Sequence, residues 1–273
     1  MDARTSTGAR LVGGSLSFDH AADTYDATRA LPERVAAKLT DALLAELAAA
    51  GADRLLEIGA GTGRIARPLM ERGVRVCGVD ISTRMLARLR EQLTPRHVAP
   101  DLVLGDATRL PIASGSFRAA LMVHVLHLVS SMQTALAEVR RVLAPGGVFV
   151  HHYTRYLGDN PWDASAAKWD ELLASRKFTR RRRPDRADIQ AALRALGGAS
   201  GLLAYAEDEE RTTPAEWLAL TARRVNSWTW EIPDGLFAEC LVEYEAWCHA
   251  HYGDLDREYV QQVRYELEVW SFA

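Results

Sequence analysis

Residues 55–63 read Leu-Leu-Glu-Ile-Gly-Ala-Gly-Thr-Gly, and Asp80 closes the next apolar run, Val74 to Val79. Three alternate glycines, Gly59, Gly61 and Gly63, stand where one apolar run (Leu55, Leu56, Ile58) gives way to a helical pattern over Arg64 to Glu71. Glycines at a strand-to-helix turn permit positive φ and let a ligand come close to the backbone. A carboxylate at the tip of the neighbouring strand lies beside that turn, where it can accept both hydroxyls of a ribose. Type and spacing together describe a nucleotide pocket.

Two ligand classes use such a turn. The dinucleotide fingerprint G-x-G-x-x-G/A needs a small residue where Arg64 stands. What the chain carries instead is E-x-G-x-G-x-G, with Glu57 two residues before the first glycine. This resembles motif I of the class I S-adenosylmethionine-dependent methyltransferases. The resemblance extends in order over about residues 18–153. Val-Asp-Ile-Ser-Thr-Arg-Met-Leu (79–86) is similar to the second motif, and Gly-Asp-Ala-Thr-Arg-Leu-Pro (105–111) to the segment that meets the adenine. The Leu-Ala-Pro-Gly-Gly turn (143–147) resembles that of the ubiquinone/menaquinone-biosynthesis-type, or type 11, subgroup.

The resemblance implies S-adenosyl-L-methionine as methyl donor and S-adenosyl-L-homocysteine as product. It implies donor contacts at Glu57, Gly59, Ala60, Gly61, Asp80 and Ile81, with Met85 turned toward the adenine. Asp106 and the backbone of Ala107 would meet the adenine amino group. His124 stands where the subgroup usually shows Asn or Ser. Tyr25 and Arg29 match an N-terminal covering segment, Tyr25 near the sulfonium and Arg29 near the methionine carboxylate. Cation–π attraction gives Tyr25 its physical rationale.

Methyl transfer is an in-line displacement that needs alignment more than proton transfer. Where a base is used, His127 is the candidate after the fourth strand, since histidine titrates near neutrality. His152 and Tyr153, at the end of the fifth strand, are candidates to touch the acceptor. All seven tryptophans fall after residue 160, and Trp228 and Trp230 are the preferred acceptor contacts among them.

The elements that must position these residues follow from periodicity. Pro32 opens a helix over Glu33 to Ala50, and strand and helix then alternate to about residue 153, which implies a parallel sheet covered on both faces. The expected fold is a doubly wound, Rossmann-like α/β sheet of seven strands, mostly parallel. The family resemblance implies that the last strand, Tyr259 to Trp270, runs antiparallel at the sheet edge. The chain reads as a single methyltransferase domain, 1–273, with residues 1–17 a loose tail. Segments 154–184 and 213–256 read as inserted helices forming a lid over the carboxyl ends of the strands.

Composition narrows the function classes. A net charge of −3 offers no global attraction to nucleic acid or anionic membranes, and no apolar run approaches a membrane span. Three cysteines without metal-ligand spacing point to a reducing cytoplasm and to no metal site. The run Arg-Lys-Phe-Thr-Arg-Arg-Arg-Arg-Pro-Asp-Arg (176–186) reads as a solvated face, with an RNA or DNA methyltransferase as the rival. A second rival binds the donor without transferring a methyl group. The leading expectation is a cytoplasmic enzyme acting on a small, partly apolar molecule. No sequence feature assigns an oligomeric state.

Overall fold

The computed structural model describes residues 10–12, 14–94, 99–158 and 160–272. In chain order the elements are β1 (Arg10–Val12), β2 (Ser15–Ser17), α1 (Tyr25–Arg29), α2 (Glu33–Ala49), β3 (Arg54–Ile58), α3 (Ala66–Glu71), β4 (Arg75–Asp80), α4 (Thr83–Glu91) and β5 (Asp101–Leu104). There follow β6 (Phe117–Met122), α5 (Met132–Val142), β7 (Leu143–Leu157), α6 (Asp163–Ser175), α7 (Arg186–Ala195), β8 (Gly198–Thr212), α8 (Pro214–Ala222), α9 (Asp234–Tyr252) and β9 (Tyr259–Phe272).

Seven strands form one sheet in the order β5-β4-β3-β6-β7-β9-β8. The pairings from β5 through β7 are parallel, and β9 runs antiparallel to both its neighbours. Period-two alternation divides the strand side chains between two layers. Leu55, Val76 and Leu121 pack with Leu39 and Leu43 of α2 and Leu69 of α3. Leu56, Val79 and Met122 pack on the other face with Leu136 of α5 and Leu193 of α7. From β3 the chain steps outward to β4 and β5, then returns to β6 on the opposite side. That reversal opens a crevice beyond the carboxyl ends of β3 and β6.

Three expectations are corrected. First, β9 is antiparallel but lies inside the sheet; β8 holds the edge. Val263, Tyr265, Leu267 and Trp270 are all buried, as are Glu266 and Glu268, so β9 is covered on both faces. The Glu-Asp-Glu-Glu-Arg stretch of β8 suits an edge, where charge discourages further pairing. Second, residues 15–17 are not loose: β1 and β2 pair as a hairpin, with Ser15, Leu16 and Ser17 buried. Residues 1–9 and 13 of the expected tail lie outside the described residues. Third, residues 154–157, expected in an insert, continue β7, which pairs with β9 as far as Leu157.

The inserted helices build a separate apolar cluster. Trp169, Leu172 and Leu173 of α6 pack against Phe237, Cys240, Tyr244 and Cys248 of α9. Trp169 stacks on Phe237 with centroids 5.3 Å apart. No described helix is long and apolar enough to cross a membrane.

Candidate active site

The crevice at the strand reversal holds a cavity of about 410 Å³. Its base is the glycine turn after β3. Gly59, Gly61 and Gly63 all have positive φ, at 79°, 56° and 81°, but they serve different ends. A Cβ on Gly59 would lie 2.2 Å from Val125, and one on Gly63 would lie 2.1 Å from Leu89, so both allow close packing. A Cβ on Gly61 would meet nothing within 4 Å. Gly61 therefore presents bare backbone to the cavity it lines.

Asp80 fastens this turn to β4. One oxygen accepts from the Gly61 N–H at 2.8 Å and the other from the Ser82 N–H at 2.8 Å. Ser82 in turn caps α4, its hydroxyl accepting from the Met85 N–H at 3.0 Å. A carboxylate offers about four lone-pair positions, so two remain for a diol. Burial pushes the Asp80 pKa up to about 6 against the Ser82, Gly61 and Ile81 N–H groups that favour its charge. Glu57 lies behind the turn, buried, with Oε2 lacking any hydrogen-bond partner. Its pKa is pushed up to about 8 by burial, which the Arg64 guanidinium opposes.

On the β5 side, Asp106 accepts from the Thr108 N–H at 2.8 Å and the Thr108 hydroxyl at 2.9 Å. Its other oxygen accepts from the Ser15 hydroxyl at 3.0 Å, and Ser15 Oγ itself accepts from the Ser130 N–H at 3.0 Å. The N-terminal hairpin thus seals the cavity at Asp106. The following segment closes the front. Asp26 of α1 accepts from Thr62 of the glycine turn and from Gln92 at 2.9 Å. Arg84 and Arg88 of α4 bind Asp23. Phe18 and Tyr25 stand edge to face, 5.6 Å apart.

Tyr25, Arg29, Gly59, Gly61, Asp80, Ile81, Met85, Asp106, Ala107 and His124 all line this one cavity, together with His127. Glu57 and Ala60 support it from behind. His124 holds a left-handed φ of 57°, a conformation that non-glycine residues rarely adopt without constraint. Burial lowers the pKa of His124 to about 4 and that of His127 to about 3, the latter with Arg183 adding to the effect. Both imidazoles are neutral at physiological pH, and His127 is a poor proton acceptor.

Of the four expected acceptor contacts, His152, Tyr153 and Trp230 are corrected, while Trp228 lines a neighbouring space. His152 is buried beneath His124, its Nε2 2.8 Å from the Tyr205 hydroxyl. Tyr153 packs under the Arg186 guanidinium on the other side of the sheet. Because β7 runs four residues further than expected, Thr154 and Tyr156 reach the cavity instead. Trp230 is buried behind the cavity wall, packed on Phe18 and His20. Trp228 lines a second cavity of about 660 Å³. Leu16 and His127 belong to the walls of both cavities. The arginine run is only partly a solvated face: Arg182 and Arg183 are exposed, yet Arg180, Arg181, Arg182 and Arg183 also line this second space. Sequence reasoning also missed Ser15, Phe18, Thr154, Tyr156 and Tyr265 at the first cavity. Only the hairpin left a signal, Gly14 with its positive φ just ahead of the second short strand.

The fold and this cavity define an α/β protein with a glycine turn and a carboxylate beside it at the strand reversal. Residues 56–151 match the Methyltransf_11 family, a methyltransferase domain. The chain is 32% identical over 213 residues to the biotin biosynthesis bifunctional protein BioHC of Cellvibrio japonicus, covering 77% of this chain and 41% of that protein. It is 39% identical over 136 residues to the demethylmenaquinone methyltransferase of Beutenbergia cavernae, covering 49% of this chain and 54% of that one. The chain thus spans about half the length of these curated relatives. Among solved structures, the magnesium protoporphyrin IX methyltransferase of Synechocystis with bound S-adenosylhomocysteine superposes with a TM-score of 0.53 at 14% identity, covering 94% of this chain and 96% of that one. The [4+2]-cyclase SpnF superposes with a TM-score of 0.51 at 20% identity, covering 90% of this chain and 84% of that one. Both likenesses concern the fold alone. The chain belongs to the class I S-adenosylmethionine-dependent methyltransferases of the type 11 kind.

Proposed function

We propose that this protein transfers a methyl group from S-adenosylmethionine to a small, partly apolar acceptor. The observation that carries the reading is the convergence of ten separately inferred donor contacts on one cavity. The residues present fit the donor. Gly61 leaves open backbone, Asp80 keeps two acceptor positions for ribose hydroxyls, and Asp106 with Ala107 stands ready for the adenine edge. Glu57 keeps a buried, unpartnered oxygen suited to a cationic neighbour. Tyr25, from α1, offers a π face to a cation, and Arg29 and Arg64 bring positive charge suited to a carboxylate.

The donor supplies an electrophilic sulfonium methyl when bound. The chain's own part is to hold the donor rigidly, exclude water beneath the hairpin and α1, and align an acceptor from the lid side. His127, neutral and weakly basic, shapes the wall. A small acceptor is consistent with an enclosed crevice and with the name of the demethylmenaquinone relative. Five of the six arginines in the 176–186 run are already paired with carboxylates, which counts against a nucleic-acid groove. Three free, buried cysteines suit action in the cytoplasm.

The test is calorimetric titration with S-adenosylmethionine and S-adenosylhomocysteine, with NADH as control. Micromolar binding of the first two and none of NADH is expected. Binding of neither would refute the reading. Tight binding with no methyl transfer to any acceptor in a broad screen would leave a donor-binding protein that does not methylate.

A further inference from the structure

The second cavity is where the arginine run and the lid tryptophans meet. Trp162, Trp169, Trp217 and Trp228 contribute to its walls. Trp162 and Trp217 lie stacked, with centroids 5.6 Å apart and planes 11° from parallel. Indole faces at this density favour a flat, apolar body, and a volume of about 660 Å³ is ample for several fused rings.

The charges of this cavity are unequal in a telling way. Arg180 pairs with Asp170 and lies 4.9 Å over Trp228. Arg181 pairs with Glu231 at 2.9 Å and donates to the Val129 carbonyl. Arg182 pairs with Asp188 at 2.8 Å. Among the described residues, no carboxylate lies within ion-pair distance of Arg183, whose side chain donates to Ser227 Oγ at 3.2 Å. Ser227 lines the donor cavity. The Arg183 guanidinium therefore stands at the partition between the two spaces, close to the His127 they share. Crowding out of water, with Arg180 and Arg29 nearby, pulls its pKa down to about 10, still protonated at neutral pH. Glu231 opposes that shift from beyond ion-pair distance, so the partly exposed guanidinium is only partly compensated by the protein, and its planar fork matches a carboxylate, sulfonate or phosphate.

We propose that the second cavity is the acceptor site and that it takes a flat aromatic anion. Its rings lie among Trp162, Trp217 and Trp228, and its anionic group meets Arg183 beside the donor cavity. Calling this ligand the acceptor rests on the methyl-transfer reading; the preference for an aromatic anion does not. The two cavities then differ in charge, one lined by Asp80 and Asp106 and the other holding a guanidinium with no ion-pair partner among the described residues.

The probes are 8-anilinonaphthalene-1-sulfonate and N-phenyl-1-naphthylamine, which share a skeleton and differ by the sulfonate. The full chain, saturated with S-adenosylhomocysteine, is titrated with each while probe and tryptophan fluorescence are followed. The sulfonate is expected to bind about tenfold or more tighter, the scale of one charge-assisted contact. Arg183→Gln should abolish that preference while leaving the neutral probe and S-adenosylhomocysteine affinities unchanged. Arg183→Lys should restore part of it, and Trp228→Ala should weaken both probes. Equal binding of the two probes, or a preference that survives Arg183→Gln, overturns the proposal. So does a loss of S-adenosylhomocysteine affinity in Arg183→Gln, which would assign the arginine to the donor cavity. Failure of S-adenosylhomocysteine to bind the unaltered protein refutes the methyl-transfer reading alone, and the probe titration without it still decides the cavity's preference.

Discussion

Asp80 spends one lone pair of each oxygen on its own fold and keeps the others for a ligand. Replacing it separates these duties. Asp80→Asn preserves the shape and one acceptor but removes the charge, so donor affinity should fall about 10–100-fold by calorimetry while the circular dichroism spectrum is kept. Unchanged affinity would displace Asp80 from the ribose position. His127 makes a contrasting case. With its pKa lowered to about 3, it should not act as the proton acceptor. His127→Gln should then cost less than about tenfold in kcat, whereas loss of a general base costs about 10²–10⁴-fold. A larger loss, with a changed pH–rate profile, would restore the base. These residues differ in how far the sequence disclosed them. Gly59, Gly61 and Asp80 sit within local strand–turn–helix units whose geometry follows from their own residues. Thr154, Tyr156 and Arg183 reach the site only through the length of β7 and the placement of the lid, which local sequence does not encode.

At the scale of elements, the hairpin β1–β2 and helix α1 make the wall that covers the donor cavity. Their hold is polar: Ser15 bridges Asp106 and the Ser130 N–H, and Asp26 ties α1 to the glycine turn. Ser15→Ala should orphan a backbone donor and loosen Asp106, at a cost of about 1–3 kcal/mol. Thermal melts should show a fall of about 2–4 °C per kcal/mol, and affinity for S-adenosylhomocysteine should drop with it. A full-strength donor site in Ser15→Ala would reduce the hairpin to a bystander. The sheet shows the same division of legibility. The apolar runs of β3, β4 and β6 were readable because each is buried on both faces. The position of β9 was not, because a strand covered on both sides by neighbours and one at an edge differ in long-range pairing. Its buried Glu266 and Glu268 are held by Arg186 and Gln190 of α7, contacts from some 80 residues away in sequence.

For the whole molecule, the buried titratable groups set opposing pH dependences. Glu57 is raised from 4.5 to about 8 and Asp80 from 3.8 to about 6. Each binds a proton in the folded chain that the unfolded chain releases, so each costs stability as pH rises through those windows. His124, His127, His151 and His152 are all lowered from 6.5, chiefly by burial. They stay neutral when folded but charge when unfolded, so their contribution is lost as pH falls below 6.5. Between pH 4.5 and 6.5 the four histidines outweigh the two carboxylates, and stability climbs. Above about pH 7 the unfolded histidines are mostly neutral as well, and Glu57 then pulls stability down toward pH 8. Surface ion pairs add little to this balance. The ligand-free protein should therefore melt highest near pH 7. Glu57→Gln, which cannot ionise, should flatten the alkaline descent and leave the acid limb in place. Thermal melts of both proteins from pH 5 to 8.5 decide it. An unchanged alkaline limb in Glu57→Gln would mean that the carboxylate behind the glycine turn is already ionised, and that the cavity needs no ligand cation to hold its charge.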